Sequence, residues 1–181
     1  LIEEAIQKLN SIIPGYIFGF DQDKMEKLVG DLLKEQNLSV STAESCTGGN
    51  IAHYITSVSG SSAYFAGSLV AYSNAVKINQ CKVNPEDIKH HGAVSQPVVE
   101  QMALGANELF DTDFSVATSG IAGPTGGTDS KPVGTTWIAV AHKGRVVSEK
   151  FQFGEHRQRN IIKSTITALN MLRKEVESLK K

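Results

Sequence analysis

The chain has 181 residues, 40% of them hydrophobic and 20% charged, which is the balance of a globular protein with room for a sizeable core. Its formal net charge is −1 and its 18 basic residues are dispersed, which argues against direct nucleic-acid contact, and no apolar run has the length of a membrane span. Two cysteines, Cys46 and Cys81, make no disulfide framework, so a reducing cytoplasm is the expected setting.

The opening stretch "LIEEAIQKLNSII" has the period of a short amphipathic helix, and "PGYIFGFDQD" reads as a strand followed by a linker. Residues 1–22 are therefore expected to be a connector or the tail of an upstream domain, with one domain over 23–181. In "DQDKMEKLVGDLLKEQ", Met25, Leu28, Val29, Leu32 and Leu33 share one helical face, and Asp21 or Asp23 is a candidate cap. A strand, "NLSVSTA", leads to "TGGNIAHYITSV", a helix opening on glycines with Ile51, Ile55 and Val58 inward. "YFAGSLVAYS" is a second strand, and "NAVKINQCK" and "NPEDIKHHG" are short helices. "SQPVVEQMALGANELF" is a helix with Ser95 as its cap, and "DFSVATSG" is a buried strand. "IAGPTGGTDSKPVG" lacks an apolar period and reads as a loop. "TTWIAVAHKGRVVSEKFQF" is a hairpin turning at Lys143-Gly144. The terminal helix puts Ile162, Ile166, Leu169, Leu172 and Val176 inward. Strands alternating with helices, and one late hairpin, predict an α/β fold, a three-layer α/β/α sandwich around a mostly parallel mixed sheet.

In such sheets ligands bind beyond the carboxyl ends of the strands. Two segments fall there. "AESCTGG" leaves the first strand, and its Ser45 and Thr47 stand beside Gly48 and Gly49 at a helix start that could take an anion. A hydroxyl cap with glycines for tight packing explains the same residues. "TSGIAGPTGG" leaves the later buried strand. A nucleophilic serine needs a base. The five histidines are poorly placed for it, whereas Lys77, just after the second strand, qualifies if burial lowers its pKa; solvation is the plainer fate of such a lysine. No paired spacing of metal ligands occurs, so neither a metal nor another cofactor is expected.

Six motifs, "TAESCTGG", "GSSAYF", "VAYSNAVK", "HGAVS", "SGIAGPTGG" and "KPVGTTW", occur in an order and at distances that resemble the C-terminal domain of the CinA family, the competence/damage-inducible proteins. The resemblance runs from about Met25 to Leu172. It implies a nicotinamide-nucleotide amidase that hydrolyses nicotinamide mononucleotide to nicotinate mononucleotide and ammonia, in pyridine nucleotide recycling. It implies Ser45 as nucleophile, Lys77 as base, Ser62 as a proton relay between them, and Tyr72 as an orienting or substrate-touching group. Gly48 and Gly49 amides are expected to hold the oxyanion beside Thr47, with Cys46 as the rival nucleophile. The substrate phosphate is expected on the amides of Gly120, Ala122 and Gly123 and on Arg157, whose alternative is an exposed helix-start arginine. The family's usual Gly-Asp-Arg triplet is here "GEHR", with His156 in place of Asp, which leaves the reach of Arg157 open. Lys131 is expected to be solvated. The expected partners are a nucleotide substrate, an upstream nucleotide-pyrophosphatase domain and further copies in a homo-oligomer. The alternative is a catalytically degenerate module that binds a nucleotide or a partner for the upstream domain.

Overall fold

A computed structural model describes residues 2–13, 17, 19 and 23–180. The expected strand and linker in "PGYIFGFDQD" lie mostly outside the described residues. A first helix, α1 (Ile2–Ile12), buries none of its side chains.

Five strands follow: β1 (Val40–Glu44), β2 (Phe65–Val70), β3 (Phe114–Gly120), β4 (Thr135–His142) and β5 (Arg145–Gln152). They lie in the order β2-β1-β3-β4-β5. β1 is parallel to both β2 and β3, while β4 opposes β3 and β5, so β4 alone runs against the other four. The β4–β5 hairpin turns through Lys143 and Gly144, both at positive φ (49° and 79°), as a two-residue turn matched to strand twist requires. β1 and β3 are buried almost throughout, and β2 and β5 are the half-exposed edges.

Helices α2 (Met25–Glu35), α3 (Asn50–Thr56) and α7 (Arg157–Ser178) cover one face, where Leu33, Ile55, Phe114, Ile138, Leu169 and Leu172 form one core. On the other face α4 (Asn74–Cys81) and α6 (Gln96–Phe110) pack on small strand residues, Ala43, Ala117, Ala139 and Ala141, with α5 (Pro85–His91) set against α6. The expected three-layer sandwich is the observed architecture.

Several local expectations change. α2 is entered through Lys24 rather than an aspartate cap. Ser95 does occupy the N-cap position of α6, but its Oγ donates to Gly92 O at 2.7 Å instead of accepting from the helix. Val58 falls beyond the end of α3. Ile162 and Ile166 point outward, at 43% and 39% exposure, and the inward face of α7 there is Asn160, Ser164 and Thr165.

The register brings one edge of the sheet together. Glu44 pairs with Val70 and Thr118, Gly120 with Thr136 and Thr135 with Gln152. The connections after β1, β2, β3 and β5 therefore meet at one end of the molecule.

Candidate active site

Ser45 is the first residue beyond β1, and its N–H continues the ladder to Thr118 O at 3.0 Å. Ala71 is the first residue beyond β2, and the chain re-enters α4 through Ser73, whose Oγ accepts from Val76 N. One turn into α4, Lys77 points back across the strand ends. It is 2% exposed, with its Nζ 3.0 Å from Ser45 Oγ and 2.7 Å from Ala71 O. Burial lowers its pKa, partly opposed by the nearby thiols of Cys46 and Cys81. A lysine so placed is a neutral amine more readily than a solvated one, and one N–H is fixed on Ala71 O, which leaves the lone pair for the serine.

Cys46 is 8% exposed. Burial pushes its thiol up to about 11, and a thiol kept protonated is a poor nucleophile. Thr47 is buried, with Oγ1 2.8 Å from Thr118 Oγ1. The turn then uses two left-handed residues, Gly48 and Gly49, at φ +62° and +96°, a backbone region that glycine enters without strain. Their amides are already engaged. Gly48 N donates to Ser45 O at 3.2 Å, and Gly49 N donates to Glu44 Oε2 at 3.0 Å. The amides of Cys46 and Thr47, by contrast, donate to no oxygen among the described residues.

Ser62 does not join this group. It lies in a 3₁₀ turn, Ser61–Ala63, that precedes β2, and Phe65 is paired with Val40 at the start of β1. Within one chain, Ser62 and Ser45 are separated by the length of β1, roughly 16 Å. Ser62 is exposed, and the direct Lys77–Ser45 contact leaves no gap for a relay.

The loop after β3 forms the other wall. At Gly120 a side chain would meet Thr136 Oγ1 at 2.6 Å and Cys46 Sγ at 3.0 Å, so this glycine serves the packing of β3 on β4 and on the nucleophile turn. Neither the Ala122 nor the Gly123 amide has an acceptor among the described residues. Arg157 opens α7 and is exposed, yet its guanidinium is held: Nη1 donates to Gly123 O at 2.9 Å and Nη2 to Tyr72 Oη at 3.3 Å. Tyr72 follows β2, Gly123 follows β3 and β1 lies between them, so this bridge spans the strand end that carries Ser45. Arg157 is in no ion pair among the described residues. It also borders a groove of about 1160 Å³ lined by Gly126, Gly127, Val133, Gly154 and His156. Lys131 is partly exposed, and its Nζ also donates to His91 O, which ties the loop to α5.

The sequence assigns no role to two residues of the site. Glu44, the last residue of β1, is fully buried and holds the start of α3. Asn160 is 2% exposed, and its Nδ2 donates to Ala122 O at 3.0 Å and Gly154 O at 2.8 Å, fixing the loop that carries the free amides. Glu44 stands in the "AESCTGG" motif without a role of its own there, and nothing in the spacing of Asn160 marks it as part of a site. A smaller depression of about 490 Å³ between α2 and α3, lined by Lys24, His53, Tyr54 and Ile166, shares no residue with the dyad. No group of three or more potential metal ligands is assembled among the described residues, and no helix among them is long and apolar enough to cross a membrane.

Comparison with known proteins gives a consistent picture. A family model described as the CinA C-terminal domain matches residues 22–176. A CinA-like protein of Cytophaga hutchinsonii is 45% identical over 180 residues, which is 98% of this chain and 43% of that one. A CinA-like protein of Flavobacterium psychrophilum is 46% identical over 176 residues, 97% of this chain and 42% of its own. The chain thus spans less than half the length of these relatives. Among solved structures, the competence/damage inducible protein CihA from Agrobacterium tumefaciens superposes with a TM-score of 0.81 at 36% identity, over 88% of this chain and 99% of that one. A CinA superfamily protein from Klebsiella pneumoniae gives 0.81 at 29% identity, over 86% and 99%.

Proposed function

Because this chain belongs to the CinA family, in the part that corresponds to its C-terminal domain, we propose that it hydrolyses the amide of nicotinamide mononucleotide to nicotinate mononucleotide and ammonia. The observation that carries this reading is a buried lysine whose Nζ is 3.0 Å from the Oγ of a serine at a strand end. Neutral Lys77 takes the proton of Ser45 as Oγ attacks the carboxamide carbon. The oxyanion that forms needs fixed donors, and the amides of Thr47, without an acceptor among the described residues, and of Cys46, which faces only its own thiol, fill that role better than the engaged ones of Gly48 and Gly49. As the C–N bond breaks, the Lys77 ammonium returns the proton to the departing nitrogen and ammonia leaves. Water then hydrolyses the ester on Ser45, with Lys77 again as base, and releases the carboxylate.

Arg157 and the amides of Ala122 and Gly123 are the phosphate anchor in this reading, with Tyr72 orienting the guanidinium. Ser62 has no part in it. A degenerate binding module accounts less well for the dyad, since a lysine withdrawn from water is costly and binding alone gives no reason to aim it at a serine. The same reading has the protein act in the cytoplasm, in pyridine nucleotide recycling, as a homo-oligomer, and attached to an upstream nucleotide-pyrophosphatase domain where the chain is longer.

Ammonia release tests the proposal. Nicotinamide mononucleotide should be turned over and free nicotinamide should not, because only the former carries the phosphate. Equal turnover of both compounds, or none of either, would sink it.

A further inference from the structure

The side chain immediately before Ser45 is a carboxylate with no contact to water: Glu44 is 0% exposed. It reaches forward past the turn to the first residues of α3. Its Oε2 accepts from Gly49 N at 3.0 Å and Ile51 N at 3.0 Å, and its Oε1 accepts from Ala52 N at 2.8 Å. Thr42 Oγ1 and Ser68 Oγ stand on the Oε1 side at 3.4 and 3.5 Å. No lysine or arginine pairs with it among the described residues. Its oxygens are satisfied there by three backbone amides.

This arrangement closes a ring. Backbone from Glu44 to Gly49 makes the turn, and the Glu44 side chain links its two ends. Inside the ring lie Ser45, Cys46 and Thr47, the nucleophile and the two amides that donate to no oxygen among the described residues. The same bonds consume the helix-start donors that would otherwise compete for an anion. We infer that Glu44 is the positioning residue of the reaction: it holds Ser45 Oγ and the Cys46 and Thr47 amides at fixed relative positions. This inference rests on the amidase reading above. A misplacement of about 1 Å in such a constellation costs on the order of 10²-fold in rate.

The test uses Glu44→Gln and Glu44→Ala, with all rates expressed per folded molecule. Glutamine keeps the shape, but whichever way its amide is turned, an NH₂ faces a backbone N–H. Expected for Glu44→Gln is a fall in kcat of about 10²-fold with KM for nicotinamide mononucleotide unchanged within about twofold, since the phosphate anchor is elsewhere. Glu44→Ala leaves a carboxylate-sized space lined by N–H donors, and formate, but not chloride at equal ionic strength, should raise its kcat in a saturable way. A second readout needs no nucleotide: the rate at which a fluorophosphonate labels Ser45 should fall in parallel for Glu44→Gln. Normal kcat per folded molecule, a loss confined to KM, or an absence of formate rescue makes Glu44 a cap of α3 alone and overturns the inference. Failure of both variants to fold overturns it too, since Glu44 is then a structural residue first. Should the wild-type protein release no ammonia, the amidase reading fails, and the labelling rates still decide: slower labelling of Glu44→Gln sustains the positioning role, and equal rates or no labelling end it.

Discussion

Lys77 holds one bond that never needs to change, to Ala71 O, and one that must, to Ser45 Oγ. Ser45→Ala and Lys77→Ala should therefore each cut turnover by several orders of magnitude, and the double variant should be no worse than either, because both remove the same step. Lys77→Arg should be nearly as poor as Lys77→Ala, since a guanidinium cannot give up its proton. Steady-state ammonia release, with circular dichroism to verify folding, measures all four. Cys46→Ala should lose far less, its thiol being held at about 11; a dead Cys46→Ala protein would move the chemistry one residue along. The pH dependence has a definite sign. Burial lowers the Lys77 pKa, so kcat/KM should rise with pH through a value below the ordinary lysine range. Between that value and the ordinary one, the unfolded chain binds a proton at Lys77 that the folded protein does not, so Lys77 contributes a rise of stability with pH across the window, opposed toward its alkaline end by Cys46 and Cys81, whose buried thiols are pushed up to about 11. Lys77→Met, apolar and non-titrating, should remove that rising contribution and leave only the fall due to the two thiols in the dependence of unfolding free energy on pH.

Among the elements, the site is made where four connections meet at one sheet edge, and sequence patterns reveal such an edge unevenly. The alternation of strands and helices makes Ser45 and the glycine loop visible as residues that follow parallel strands, and the family resemblance supplies Lys77. The same rule applied to Ser62 gives the opposite answer, because it precedes β2 and so lies at the amino end. α7 defeats the apolar pattern for a different reason. Its first turns meet polar partners, Ala122 O for Asn160, Thr136 Oγ1 for Ser164 and Asn50 for Thr165, so these three residues are buried there and Ile162 and Ile166 are not. Apolarity reports burial only where the opposing surface is also apolar. Asn160 gives the prediction at this scale. Without its two bonds to Ala122 O and Gly154 O, the free amides beside Arg157 lose their support, while the dyad at the end of β1, which Asn160 does not bond, is untouched. Asn160→Ala should raise KM for nicotinamide mononucleotide several-fold and change kcat less. A loss in kcat alone would mean that the loop does not serve the phosphate.

At the scale of the whole molecule, the question is how much of the chain the site needs. Both cores draw on residues from Met25 to Val176, and the family model covers nearly the same span, 22–176. α1 buries no side chain, and Ile2, Leu9 and Ile12 on it are 78%, 47% and 66% exposed. Helices as short as this one are marginal in water without a packed face, so α1 contributes little to the stability of the sandwich. The Klebsiella pneumoniae structure is covered over 99% of its length by 86% of this chain, so a solved protein of this fold carries no large addition to it. Residues 23–181 are accordingly proposed as the autonomous unit, with 1–22 as a connector. A protein reduced to 23–181 should melt within a few degrees of the longer chain and release ammonia with the same kcat and KM, because every residue of the dyad, the turn and the loop remains. Differential scanning calorimetry and steady-state kinetics on the two proteins decide it. If the shorter protein unfolds far earlier or is inactive, residues 1–22 belong to the domain. If it is equally stable and active but changed in assembly state, the apolar face of α1 serves contacts between copies, a role that the catalytic unit does not share.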